Sequence, residues 1–309
     1  MQAPDDFDPP YGVAETLAPG LRRIVAPNPS PMTYRGTNTY LLGTRGLAVI
    51  DPGPHAGPDD TAHLQAILGA VESAQRITHI LVTHAHLDHS PLAAALSQAT
   101  GAPIYAYGDA AAGRSAVMTA LADQGLAGGG EGVDRSFSPD ITLADTEVIT
   151  GDGWQVTALW TPGHFGNHLA FQWGDAVFTG DLVMGWASSL VSPPDGDLTD
   201  FMWSCERLRA IPASVYHAGH GAPVTNPQQR LDWLIAHRKS REASILDALH
   251  HRHETARELA QRIYTDTPPP LLPAAERNVF AHLVDLHGKN IVQPDGPLSA
   301  TARFSLVSS

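Results

Sequence analysis

Cysteine occurs once in these 309 residues, at Cys205, so an intrachain disulfide framework is excluded. A lone thiol outside every motif reads as a buried side chain. It fits a reducing compartment, and the cytoplasm is the expected location. No run of about 18 apolar residues occurs, so no membrane-spanning helix and no membrane partner are expected. The opening Met1-Gln2-Ala3-Pro4-Asp5-Asp6 has neither a basic nor an apolar stretch, so no secretory signal is expected. Lysine is almost missing, with Lys239 and Lys289 the two present. Basic residues number 19 against 32 acidic ones, a formal net charge of −13. That balance argues against a polyanion-binding surface made from bulk positive charge, although a pair of divalent metals would make one cleft locally positive.

With 43% hydrophobic and 17% charged residues, the chain has a globular composition. Its length suits one large domain and a small one, with a core that needs no staples. Residues 1–36 are rich in proline and glycine, with a strand-like stretch at Leu21 to Ala26. Asn38 to Leu42 and Leu47 to Ile50 read as a hairpin ending at Asp51-Pro52-Gly53. Leu64, Ile67, Leu68 and Val71 predict a helix over 59–72. Ile77 to Thr83 is a β-branched, apolar strand. Ser90-Pro91 reads as an N-cap followed by proline, opening a helix that stops at Gly101. Ile104 to Tyr107 is the next strand, and Gly128 to Gly130 predicts a loop. Short strands follow at Glu147 to Ile149, Trp154 to Thr161, Leu169 to Trp173 and Ala176 to Thr179. From Pro227 to about His250 the pattern changes to one long amphipathic helix. Helices at about 255–264 and 273–287 and a short strand at Asn290 to Val292 complete the expected tail. The expected division is therefore 1–226, an α/β domain, and 227–309, a small, mostly helical module.

The 16 histidines carry the functional signal. His84-x-His86-x-Asp88-His89 places four candidate metal ligands within six residues, directly after a predicted buried strand. Imidazole with carboxylate suits zinc, and also manganese or iron. His164 in Thr161-Pro162-Gly163-His164, Asp181 in Phe178-Thr179-Gly180-Asp181, and His220 in His217-Ala218-Gly219-His220-Gly221 continue the pattern at later strand ends.

These motifs resemble the metallo-β-lactamase superfamily, over about residues 20–225. The resemblance implies an αββα sandwich with two divalent metal ions at one edge. It implies that His84, His86 and His164 hold one metal, that Asp88, His89 and His220 hold the other, and that Asp181 bridges them. Asp51 resembles the aspartate of the first motif and would orient a histidine ligand; the alternative is a turn residue before Pro52. Two metals serve hydrolysis because a bound cation lowers the pKa of water from about 15.7 towards 7, supplying a hydroxide held between them as nucleophile. Asp88 and His168 are the catalytic candidates beside the ligands. His168 is read as a proton donor or substrate-oxygen ligand beside the metals, with a structural histidine whose ring hydrogen-bonds locally as the alternative. His79 and His217 read as core or supporting histidines, His250, His251 and His253 as a solvated helix end. Tyr40 and Trp186 could line a cleft or pack in the core.

Within the superfamily, classical β-lactamases lack a bridging aspartate, and flavodiiron oxidoreductases resemble His-x-Glu-x-Asp where His86 stands here. No exosite motif of transfer-RNA 3′-processing nucleases is present. Tyr216 to Gly221, Leu234 to Glu242 and His287 to Val292 resemble the β-lactamase-like protein 2 family, whose tail resembles a winged helix. That resemblance implies either metal-dependent cleavage of single-stranded RNA or hydrolysis of thioesters and other small esters or lactones. The tail offers Arg238, Lys239, Arg241, Arg252 and Arg257, and their mixture with Glu242, Glu254 and Glu258 reads as a solvated helix face. A mono-iron persulfide dioxygenase and a nucleic-acid-binding regulator with a vestigial site are the readings outside hydrolysis. The sequence carries no signal of oligomeric state.

Overall fold

Strands whose two faces are both covered read as continuous apolar runs, and this chain builds its centre from them. The structure, a computed structural model, describes residues 7–55, 61–130 and 132–307. The opening hexapeptide and the first two positions of the helix expected over 59–72 lie outside the described residues.

The first sheet follows chain order: β1 (Glu15–Ala18), β2 (Leu21–Val25), β3 (Asn38–Leu42), β4 (Gly46–Ile50), β5 (Arg76–Leu81), β6 (Ile104–Ala106) and β7 (Ile141–Thr142). It is antiparallel as far as β4 and parallel from β4 to β7. The second sheet runs in the order β12-β11-β10-β9-β8, from β8 (Val148–Thr150), β9 (Gln155–Trp160), β10 (Leu169–Trp173), β11 (Ala176–Gly180) and β12 (Val215–Ala218). Alternation along the strands sorts side chains into layers. Ala48, Ile50, Leu169, Phe171 and Phe178 meet between the sheets. Leu47 and Val49 face outward, under α1 (Ala62–Gly69) and α2 (Leu92–Thr100). Ala170 and Val177 face outward on the other side, under α4 (Leu198–Arg209) and α5 (Pro227–His251). This is the expected αββα sandwich.

The tail adds α6 (Ala256–Ile263), α7 (Leu272–Gly288) and a three-stranded sheet, with β15 (Arg303–Leu306) between β13 (Glu254–Thr255) and β14 (Val292–Pro294). Thr255 and Glu258 start α6 as a reciprocal capping box. Its core joins Ile245 and Leu249 of α5 to Leu259, Phe280 and Phe304, and also to Met118 and Leu121 of α3 (Ala116–Asp123). The first turns of α5 instead share the sandwich core through Leu231 and Leu234. One helix thus belongs to both hydrophobic cores. Among the described residues, no helix is long and apolar enough to cross a membrane.

Some elements differ from expectation. Pro91, not Ser90, occupies the cap position of α2, and the Ser90 hydroxyl instead donates to Asp134 at 2.8 Å. The helix does stop at Gly101, which adopts φ +73°. The strand expected at 290–292 starts at Val292, because Asn290 takes φ +57° and its N–H closes the end of α7 on the His287 carbonyl. Helices α3 and α4 and strands β13 and β15 have no counterpart in the sequence reading.

Arg238 is the largest correction. It is 1% exposed, not solvated. Its guanidinium donates to the carbonyls of Ser188 (2.9 Å) and Ser189 (2.7 Å) and to Asn278 Oδ1 (2.8 Å). The 184–191 loop is held further by Arg230, which donates to the Met184 and Ala187 carbonyls. Replacing Arg238 by Met keeps the apolar stem but leaves buried carbonyls without a donor. The expected loss is about 2–4 kcal/mol, read as a lowered midpoint in chemical denaturation.

Candidate metal centre

Strand direction gathers the site. Strands β9 and β11 both run antiparallel to β10, and β12 runs parallel to β11, so their C-terminal ends share one edge. The parallel pair β4 and β5 ends at the corresponding edge of the first sheet. Asp51, the 84–89 loop, His164, Asp181 and His220 all follow these ends. The edges are stitched together. Leu169 N–H donates to the Thr83 carbonyl (2.8 Å), and the Asn38 amide donates to the carbonyls of Ala218 and Gly221, each at 2.9 Å.

The seven expected ligands come together in two buried groups: His84, His86 and His164; and Asp88, His89, Asp181 and His220. Donor atoms within each group lie within 4.8 Å of one another. In the first, His86 Nδ1 is 2.9 Å from His84 Nε2 and 3.1 Å from His164 Nε2. In the second, His220 Nε2 is 3.1 Å from Asp88 Oδ2, 3.2 Å from Asp181 Oδ2 and 3.3 Å from His89 Nε2. Asp181 faces both groups, because its Oδ2 also lies 3.7 Å from His164 Nε2.

Outward hydrogen bonds fix which nitrogen faces in. His164 Nδ1 donates to the Leu190 carbonyl at 2.7 Å, and His220 Nδ1 to the Gly36 carbonyl at 3.1 Å. A carbonyl only accepts, so each Nδ1 carries a proton and each Nε2 faces inward, where a cation can take the place of any proton on it. His89 Nδ1 donates to Asp51 Oδ2 at 2.9 Å. Asp51 also accepts from the Thr83 N–H and hydroxyl, each at 2.7 Å, and Thr83 Oγ1 in turn accepts from His84 Nδ1 at 2.9 Å. Asp51 is therefore an orienting carboxylate. It holds φ +51° while 2% exposed, a strained backbone kept at a functional site. Ring nitrogens and carboxylate oxygens converging in this way are the donors a divalent cation takes. Asp88 Oδ1 and Asp181 Oδ1 are buried without a hydrogen-bond partner among the described residues. Gly219 leaves the necessary space, since a Cβ there would stand 2.3 Å from Asp181 Oδ1 and 2.7 Å from His89 Cε1. The donor set fits two divalent cations.

Electrostatics separate the two groups. Burial, reinforced by neighbouring imidazoles, lowers His84 well below its usual range and pushes His86 down to about 3. Burial also pulls on His220, but the Asp181 and Asp88 carboxylates overcome it and raise it to about 10. His89 is likewise raised, against burial, by Asp88, Asp181 and Asp51.

His168 does not reach the cleft. It is fully buried, its ring centroid is 5.2 Å from that of His84, and its Nδ1 lies 2.9 Å from Thr161 Oγ1. Its place behind a ligand corrects the expectation of a proton donor to one of a positioning side chain. His79 packs on Tyr105 and Trp154, and His217 on Phe178 and Tyr40. His250, His251 and His253 are exposed, as expected. Tyr40 belongs to the inter-sheet core, whereas Trp186 lines the cleft. Cys205 is buried, and burial pushes its thiol up to about 12. Sequence reasoning missed the orienting groups Thr83, Gly36 and Leu190; the last two act through carbonyls, which every residue has.

Above the ligands opens a cleft of about 260 Å³. His86, Asp88, His164 and Asp181 line it, together with Trp233, His237, Arg241, Tyr264 and Leu271 of the tail.

Residues 32–220 match the metallo-beta-lactamase superfamily, and residues 255–297 match the beta-lactamase associated winged helix domain. The chain belongs to the metallo-beta-lactamase superfamily. It is a metal-dependent hydrolase of that fold, with the associated winged helix at its C-terminus. A beta-lactamase-like protein 2 homolog from Drosophila melanogaster is 30% identical over 87% of this chain and 88% of its own. An atrochrysone carboxyl ACP thioesterase from Aspergillus fumigatus is 29% identical over 88% of this chain and 78% of its own. A metallo-beta-lactamase family protein from Thermus thermophilus superposes with a TM-score of 0.75 at 27% identity, covering 94% of this chain and all of that one.

Two predictions follow from the geometry of the cage. Elemental analysis after dialysis should find about two metal ions per folded chain, and Asp181→Ala should lower this towards one while the circular dichroism spectrum is kept. Two ions retained in the variant would remove the bridging role. Filling the second group displaces protons that His89 and His220 hold at neutral pH, whereas His84 and His86 are already neutral. Affinity at the second group should therefore rise from pH 6 to pH 8, by about tenfold per unit for each proton released, and that at the first should change little. Chelator competition at the two pH values measures both slopes.

Proposed function

We propose that this hydrolase cleaves thioesters or related small esters of a compact, largely apolar acyl group, with zinc as the metal. The observation that carries the reading is the cleft. Trp186, Trp233, Tyr264, Met184 and Leu271 line it, and it leads to four of the metal-site side chains. A concave apolar site of this kind binds small molecules. The resemblance to a carrier-protein thioesterase supports the same chemistry.

Single-stranded RNA is the weaker reading on these contacts. Of the five tail residues offered for phosphate contacts, Arg238 is buried in the loop clamp, Arg252 pairs with Glu254, and Arg257 pairs with Glu276. Only Arg241 of the five reaches the cleft. Strand binding draws on several phosphate contacts, which the net charge of −13 does not favour.

His84, His86 and His164 would hold one ion, Asp88, His89 and His220 the other, and Asp181 both. When bound, the ions polarise the substrate carbonyl and make water acidic enough to attack at neutral pH. The chain's own part is to orient and to move the proton. The Asp51–Thr83 pair fixes His89 and His84, and Leu190 fixes His164. Asp88 lines the cleft, and its carboxylate would take up the proton of the attacking water. The apolar walls exclude bulk water.

Purified protein loaded with zinc or manganese, given an aryl thioester, a lactone, a β-lactam and single-stranded RNA, should turn over the thioester fastest. Asp181→Ala should slow that reaction by about a thousandfold. RNA cleavage without thioester turnover would overturn the assignment.

A further inference from the structure

The cleft holds one permanent cation that neither the metal cage nor the fold uses. Arg241 projects from α5 into the cleft wall formed by the tail. Its guanidinium carbon lies 4.6 Å above the Tyr264 ring centroid, and its Nε is buried without a hydrogen-bond partner. Among the described residues no carboxylate pairs with it. This sets it apart from its neighbours on the same helix: Arg230 and Arg238 both spend their donors on loop carbonyls. Among the described residues, no other arginine and no lysine lines the cleft. His237, stacked on Trp233 at 5.0 Å, adds no charge at neutral pH, because burial, with Arg238 and Arg241 nearby, lowers it to about 4. An arginine held on an aromatic face with free donors is preorganised for a planar oxyanion. The ligand residues Asp88, His86, His164 and Asp181 line the same cleft.

We propose that Arg241 anchors an anionic group of the substrate, at the end of the cleft away from the bond that is cut. The proposal rests on the thioester reading for the chemistry at the metals, but the anchor itself is set by the tail. Two sources share the required chemistry: a carboxylate on the acyl group, or the phosphate of a pantetheine-type thiol arm. Tyr264 beneath the guanidinium and Trp186 and Trp233 along the cleft suit a flat ring between anchor and metals.

Three substrates separate the sources: a carboxynaphthoyl thioester of N-acetylcysteamine, its carboxamide counterpart, and the unsubstituted naphthoyl thioester of phosphopantetheine. In Arg241→Gln the KM should rise by about 10- to 100-fold for whichever substrate carries the recognised anion, with kcat changed by less than about threefold and the carboxamide unaffected. Arg241→Lys should recover part of the loss. A rise confined to the first substrate assigns the acyl carboxylate; one confined to the third assigns the thiol arm. Equal effects on all three, or none, would overturn the anchor. If wild-type protein hydrolyses none of them, the thioester reading fails on its own. The anchor is then decided by calorimetry of 2,6-naphthalenedicarboxylate and of phosphopantetheine with the metal-free protein. Tighter binding of either by wild type than by Arg241→Gln supports the anchor, and equal binding of both sinks it. Unchanged circular dichroism in both variants guards against misfolding.

Discussion

Five imidazoles turned towards the same small volume, with two carboxylates beside them, form an arrangement built to hold cations. Everything around the edge of the sandwich serves to keep it. The backbone carbonyls of Leu190 and Gly36 and the carboxylate of Asp51 take the outer protons of His164, His220 and His89, so the rings cannot turn away. The same bonds that tune the ligands also bind the loops to the sheets. Metal affinity and local order are thus one property here, as in other sites where binding energy is also folding energy.

The fold meets this demand through strand direction. Parallel strands send their C-terminal ends to one edge, and the loops that leave those ends can converge without a long detour. Hydrogen bonds across the edge, from Asn38 to Ala218 and Gly221 and from Leu169 to Thr83, keep the two sheets from sliding past each other. With the covering layers of α1, α2, α4 and α5 in place, β3, β4 and β11 are buried along their whole length.

Much of this was legible in the sequence. The ligands announce themselves because imidazole-rich runs directly after buried strands have few other uses, and the strands themselves follow from β-branched composition. Helices α3 and α4 escaped because Ala-rich and mixed segments show no strong periodicity. Asp197 and Ser115 cap them, but such residues are common in loops as well. His168 was misplaced because spacing from His164 reports nearness, not which side of the ligand the ring occupies. Arg238 was misread for a deeper reason. A charged residue on an amphipathic helix looks solvated until a loop arrives from about fifty positions away to bury it. The shape of the cleft was out of reach for the same cause, since one wall belongs to the tail.

Helix α5, whose first turns pack with the sandwich and whose last turns pack with the tail, carries Trp233, His237 and Arg241 between them. The appended winged helix is therefore not a separable adaptor. Drift in the tail's own packing, at Phe280 or Phe304 for example, would tilt that rod and reshape the mouth above the cations without touching a single ligand. A lineage could diversify what it digests by editing the far end of its own scaffold, while the chemistry beneath stays untouched.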